Sequence, residues 1–181
     1  GNFLSATPDT NFTAEALQKC RLTAQVITKL NRTALVTGKK SLILPCLGRT
    51  EKDLTGGKEQ FQTTENTMLN VQITKGILEP SSEHLRSETW IIGKLAQAVL
   101  KNKMTMDWER LINDYDHIRD SIARVVPGCE GYNTKVRHDG GFYLPNPPRE
   151  GTFPTASGKA KFTASPLEKA SLKPVGLLMT T

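Results

Sequence analysis

Aromatic residues make up only 6% of this 181-residue chain, and no window approaches the roughly 18 continuous apolar residues of a membrane-spanning helix. A membrane span is therefore excluded as a partner. The aromatics near Lys39-Lys40 and Lys58 are too few to form a base-stacking platform, so nucleic acid is not assigned either. Cys20, Cys46 and Cys129 lie far apart and are odd in number, which disfavours a secreted disulfide framework and places the protein in a reducing cytoplasm. CxxC and HExxH motifs are absent. With His84, His117 and His138 scattered, no metal ligand is assigned to this chain alone. An initiator Met is also lacking, and Gly1-Asn2-Phe3-Leu4-Ser5 has neither the basic nor the apolar segment of a signal peptide. The apolar Val175-Gly176-Leu177-Leu178-Met179 stands almost at the other terminus, so both ends read as cuts in a longer polypeptide.

What is there suits one domain with a small annex: 37% hydrophobic residues, 23% charged residues and a net charge of +6. The first sixty residues read as α/β. Gly1 to Asp9 is a loop of small residues, and Thr13 caps a short helix over Ala14 to Leu17. Leu22 to Ile27 and Ser41 to Pro45 carry strand signals, with a helical turn over Thr33 to Val36 between them. Strand, helix and strand joined by short loops predict a parallel sheet, whose ligand site lies at the carboxyl ends of the strands. Gln60 to Thr64 and Met68 to Thr74 alternate as a hairpin turning at Glu65-Asn66. Ser87-Glu88 opens the clearest helix, with Ile91, Ile92, Leu95, Ala96, Val99 and Leu100 at helical spacing. A second helical region carries Trp108, Leu111, Ile112, Tyr115, Ile118, Ile122 and Val125, until Pro127-Gly128 stops it. Lys159 to Thr163 has the pattern of a short strand, and a domain boundary is placed near Gly151.

No set of residues assembles a catalytic site, and none is assigned. Asp107, Glu109, Asp114, Asp116 and Asp120 fit the solvated face of amphipathic helices. Cys46 lacks a sequence-local His or Lys to activate it and reads as a packing residue. Three local features carry binding chemistry. The Gly1 to Asp9 loop admits close backbone approach to a phosphate or pterin. Gln25 to Lys29 sets amide, hydroxyl and ammonium groups at a strand's carboxyl end. Glu88 sets a carboxylate at a helix N-terminus, where it either favours the helix dipole or accepts two hydrogen bonds from a guanine edge.

The same residues recur in a longer ordered series. Gly1 to Asp9 is followed by Thr13-Ala14-Glu15-Ala16-Leu17 and Thr28-Lys29-Leu30-Asn31-Arg32. Next come Leu42-Ile43-Leu44-Pro45-Cys46-Leu47-Gly48-Arg49-Thr50-Glu51, Gln60-Phe61-Gln62-Thr63-Thr64-Glu65-Asn66 and Leu85-Arg86-Ser87-Glu88. Val126-Pro127-Gly128, Tyr132-Asn133, Gly140-Gly141-Phe142, Leu144-Pro145-Asn146 and Ser157-Gly158-Lys159-Ala160 complete it. This series resembles the formate-dehydrogenase-like alpha subunits of the molybdopterin oxidoreductase family, in particular its acid-resistance-associated bacterial branch.

The resemblance implies an internal segment of a much larger catalytic subunit. Residues 1–150 would be part of a Rossmann-like dinucleotide-binding domain with a partial parallel sheet and flanking helices. Residues 151–181 would be an irregular extension carrying the linker and first strand of a C-terminal β-barrel domain. The implied cofactor is a bis-molybdopterin guanine dinucleotide with molybdenum, and the implied iron–sulfur cluster belongs to N-terminal parts outside this chain. Its partners would be that cofactor, the rest of the same polypeptide and a small substrate such as formate. By motif position the resemblance assigns Gly1, Asn2, Phe3, Thr7 and Asp9 to a cofactor loop. It assigns Gln25, Thr28 and Lys29 to the end of the next strand, and Glu88 to guanine recognition where many relatives carry Asp. Two other classes compete: a standalone phosphate- or nucleic-acid-binding module, and a structural domain whose helix from Ser87 to Asn102 docks onto a partner.

Overall fold

A computed structural model describes residues 2–103 and 105–166, with the side chain of Asn102 excepted. The chain divides into two compact units, 1–145 and 146–181.

In the first unit the N-terminal stretch is more helical than its small residues suggest. Phe3–Ala6 forms a single turn, α1, and Thr10–Gln18 forms α2. The α2 cap is Asp9 rather than Thr13: its carboxylate accepts from the Phe12 amide at 2.9 Å, which starts the helix four residues early. Strands β1 (Thr23–Ile27) and β2 (Ser41–Pro45) pair in parallel, Thr23 opposite Ser41 and Ile27 opposite Pro45, with the single turn α3 (Arg32–Leu35) in the crossover. The parallel α/β arrangement expected from the sequence is present. It is short, and β2 leaves most of its side chains exposed. Thr33 ties α3 to α1, its hydroxyl accepting from the Leu4 amide at 3.0 Å.

The predicted hairpin is also present. Strands β3 (Gln62–Glu65) and β4 (Asn70–Thr74) run antiparallel, and the two-residue β5 (Phe142–Tyr143) adds to the far edge of β4. Asn66 holds the turn by accepting from the amides of Met68 and Asn70. Behind this sheet Val71, Cys129, Tyr132 and Val136 form a buried cluster with Phe61, Ile122 and Phe142 packed against it.

Helix α4 spans Glu88–Leu100, the whole of its apolar stripe, and passes into a 3₁₀ turn at Lys101–Lys103. The region expected as one long helix is two, α5 (Trp108–Asn113) and α6 (Tyr115–Val125). Asp114 breaks it. Its backbone is extended, and its carboxylate accepts from the Asp116 amide at 3.0 Å to cap α6 while pairing with Lys58 at 2.7 Å. A further single helical turn, α7, covers Tyr132–Lys135. Gly93 lets α4 and α5 approach closely, since a Cβ there would lie 2.2 Å from Ile112 Cγ2. Across the same pair Glu109 accepts from Lys94, Gln97 and Asn113, and these bonds hold its carboxyl down at about 2.

The acidic positions of α6 are more than a solvated face. Asp116 is shared by Arg119 and Arg137, and Arg119 is itself 4% exposed. Arg119 also donates to the Phe61 carbonyl at 3.0 Å and to Asn133 at 2.7 Å, with its guanidinium stacked 3.9 Å over the Phe61 ring. Burial pushes the Asp116 carboxyl upward, but the bonds from Arg137 and Arg119 outweigh it and hold the group low.

In the second unit, residues 146–166 contain turns and no strand. The strand expected over Lys159 to Thr163 is not formed. The Lys159 carbonyl accepts from the Thr155 hydroxyl at 2.8 Å, and among the described residues no neighbouring strand completes a ladder. The barrel strand expected around Val175 to Met179 and the cofactor-loop residue Gly1 lie outside the described residues. Among the described residues there is no barrel, and no helix is long and apolar enough to cross a membrane.

Candidate functional site

A cleft of about 400 Å³ opens where β1, β2 and α4 meet. Its floor follows from the strands. Thr28 leaves the carboxyl end of β1, and Leu47-Gly48-Arg49 leaves that of β2. The Cys46 amide donates to the Ile27 carbonyl at 3.1 Å, and the Leu47 amide donates to Arg86 at 3.0 Å, so the residues before α4 extend the sheet by one parallel bridge. Ser87 and Glu88 are thereby delivered to the strand ends. This is where an open parallel sheet presents a ligand site.

Ser87 caps α4, accepting from the Trp90 amide at 3.2 Å. Its own hydroxyl lies 2.6 Å from the Tyr115 hydroxyl, which donates to Asp53 at 2.6 Å. Gln60, 3% exposed, completes a polar hub: its amide nitrogen donates to the carbonyls of Thr55 and Asn113, and its oxygen accepts from the Tyr115 amide at 3.2 Å. Burial, and then the bond to Asp53, drive the Tyr115 phenol well above its ordinary pKa, so it stays a neutral donor. The hub fixes the first turn of α4, and with it Glu88, relative to the hairpin and α6.

The loop after β2 is fixed separately. Glu51 accepts from the amides of Gly48 at 2.7 Å and Ser81 at 2.8 Å; the Gly48 bond, then that of Ser81, lowers its pKa. Gly76 lies flat against this loop, and a Cβ there would come within 2.0 Å of the Glu51 carbonyl oxygen. Cys46 is 2% exposed beneath the cleft. Burial and then the Glu88 carboxylate push its thiol pKa up, so it packs rather than acting as a thiolate nucleophile.

Of the residues assigned from the sequence, the fold brings Thr28 and Glu88 together in the cleft. The others among the described residues lie elsewhere. Asn2 precedes α1, and its side chain makes no cap bond. Phe3 is 57% exposed. The Thr7 hydroxyl donates to the Leu4 carbonyl, and Asp9 caps α2. Gln25 donates to the Thr33 carbonyl at 2.9 Å while its buried Oε1 has no hydrogen-bond partner. Lys29 is exposed outside the cleft lining.

Sequence reading missed Arg49 and the whole opposite wall, where Gln62, Thr64, Thr74 and Lys75 of the hairpin line the cleft. The signal available was Arg49 beside Gly48 immediately after an apolar strand. The hairpin residues alternate as in any two-stranded ribbon and give no such signal. Arg49 and Glu88 make no side-chain hydrogen bond or ion pair among the described residues, whereas Lys75 pairs with Glu59. The lining thus presents an uncommitted cation, an uncommitted carboxylate, and hydroxyl and amide groups. That set can hold a ligand with an anionic part and a hydrogen-bond-donating edge. Among the described residues no group of His, Cys, Asp or Glu is placed to hold a metal ion.

Comparison with known proteins gives first a class: three of the six matching curated relatives carry the general name oxidoreductase, and the other three are named protein YdeP. An uncharacterized oxidoreductase of Mycobacterium tuberculosis is 50% identical over 182 aligned residues, covering 100% of this chain and 23% of the relative. One of Mycobacterium bovis matches to the same extent. The protein YdeP of Escherichia coli is 41% identical over 165 residues, covering 91% of this chain and 22% of its own length. The chain therefore spans less than a quarter of the curated relatives it matches. No family model and no solved structure matches it.

Proposed function

We propose that this chain is a segment of a large, formate-dehydrogenase-like molybdenum oxidoreductase, and that its cleft holds the guanine end of one half of a bis-molybdopterin guanine dinucleotide. The observation that carries the reading is the convergence of Thr28 and Glu88, sixty residues apart in sequence, at the carboxyl ends of parallel strands. The donor set suits that group. Glu88 supplies two acceptor oxygens for the N1–H and N2–H₂ edge of guanine, Arg49 a cation for a phosphate, and Thr28, Thr64 and Thr74 hydroxyls for a ribose. A cleft of this volume falls in the range of small-molecule sites, roughly 300–1,000 Å³. The oxidoreductase names of the mycobacterial relatives support the broader part of the reading.

When bound, the metal and pterin supply two-electron chemistry on a small substrate such as formate. This chain's residues bind and orient the nucleotide end. Lys29, which follows Thr28, and Gln25, in the middle of β1, lie outside the cleft lining and are assigned to the ribose–pyrophosphate portion beyond it, and Asn2, Phe3, Thr7 and Asp9 to the pterin-side approach. Complete polypeptide purified from molybdate-supplied cells should retain guanine nucleotide and molybdenum, and E88A should lose most of the nucleotide. Full retention by E88A would remove the guanine assignment. Absence of both nucleotide and metal from the native protein would remove the cofactor.

A further inference from the structure

An apolar concavity larger than the cleft lies on the other flank of α4, between that helix and α5 and α6. It holds about 620 Å³ and is walled by Ile92, Trp108, Leu111, Ile118, Ile122 and Val125. The surface around it is apolar as well. Ile92 is 53% exposed and Val125 76%, and Leu95 and Val99 continue the Ile92 stripe along α4 at helical spacing. A contiguous patch of this kind on a folded surface marks a contact face. One polar atom is stranded in the wall: Trp108 Nε1 is buried and has no hydrogen-bond partner, and a buried indole N–H ordinarily finds one.

We infer that this groove is the docking face for an apolar segment of the same polypeptide outside residues 1–181, one that also presents a hydrogen-bond acceptor to Trp108 Nε1. The occupant is assigned to the same polypeptide because relatives 50% identical across this whole chain devote only 23% of their length to it, so most of their chain is available to cover the face. The lining adds chemistry. It offers almost no charge of its own, Glu88 at the mouth being the exception, so a highly charged partner would gain little within it, whereas an apolar element with one carbonyl or hydroxyl oxygen would match the apolar wall and satisfy the buried indole N–H. The inference does not depend on what occupies the cleft.

The test uses the complete polypeptide carrying Val125→Cys, with Ile92→Cys as an independent second site. Maleimide labelling of the introduced thiol is read by peptide mass spectrometry in the native protein and in urea, and light scattering gives the molecular mass at the same concentrations. A docked segment predicts native labelling at least 100-fold slower than in urea, in a monomer, unchanged on dilution. Native labelling within tenfold of the urea rate overturns the inference, because the face is then open. Protection that appears only in a dimer and disappears on dilution also overturns it, because a second copy is then the occupant. A cleft variant away from the groove such as R49A should leave the introduced thiols at least 100-fold protected, so failure here and failure of the nucleotide assignment are separately visible.

Discussion

Tyr115→Phe tests whether the polar hub positions the start of α4. The substitution removes one hydroxyl and leaves the ring, so it opens no cavity. Tyr115 is 3% exposed, and its hydroxyl stands 2.6 Å from both Ser87 Oγ and Asp53 Oδ2. A bond to a charged acceptor contributes about 1.5–3 kcal/mol and a neutral one about 0.5–1.5. Together they amount to roughly 2–4 kcal/mol if neither partner finds water. Ser87 then keeps its cap bond to Trp90 but loses its anchor. The assay is native-state hydrogen exchange on peptides covering Glu88–Leu100 in the complete polypeptide, because local opening reports local free energy even when global unfolding is not two-state. At about 1.4 kcal/mol per tenfold, the first turns of α4 should exchange about 30- to 10³-fold faster. Tyr132→Phe is the control. It removes only a neutral bond to Thr63 at 2.9 Å, in the cluster behind the hairpin, and should leave α4 unchanged. Acceleration of α4 by less than twofold in Tyr115→Phe would refute the anchoring role.

Two further outcomes follow from the helical side of the fold. Gly93→Val places atoms within the volume of Ile112 Cγ2 and should destabilise the α4–α5 pair by about 1–3 kcal/mol, more than the helix propensity it gains; an unchanged or raised unfolding midpoint would show that α5 can move aside. Glu109 is held below the ordinary carboxylate value, at about 2, first by Lys94 and then by Gln97 and Asn113. A depressed folded pKa stabilises above the unfolded value near 4.5 and loses that contribution as pH falls toward 2. Native protein and E109Q should therefore differ in urea midpoint at pH 6 and converge near pH 2, and a gap that persists at pH 2 would contradict the assignment.

Much of the architecture was legible wherever a local signal and the tertiary environment agreed. Ser41 to Pro45 is a strand over the expected span because β-compatible residues end at a proline that cannot extend the ladder. Ser87-Glu88 begins α4 because a hydroxyl cap and an acidic first residue both favour that end. Where two local signals competed, the sequence was ambiguous. Asp9 and Thr13 can each cap α2, and the choice depends on where the chain leaves α1. Asp114 interrupts an otherwise continuous apolar periodicity by an Asx cap that only the fold reveals. The cleft was half visible. Thr28 and Glu88 stand at the ends of elements, where sequence pattern points, whereas Gln60, Asp53 and Tyr115 act through burial and through pairings 28 to 62 residues apart that no spacing rule encodes.

Glu88 borders both the polar cleft and the mouth of the apolar groove. A 13-residue helix spans about 20 Å, so α4 is a short rigid strut with a reading end and a bearing flank. One rigid element therefore carries the first turn that lines the cleft and the side chains that wall the groove, and a movement of α4 would reshape both concavities at once.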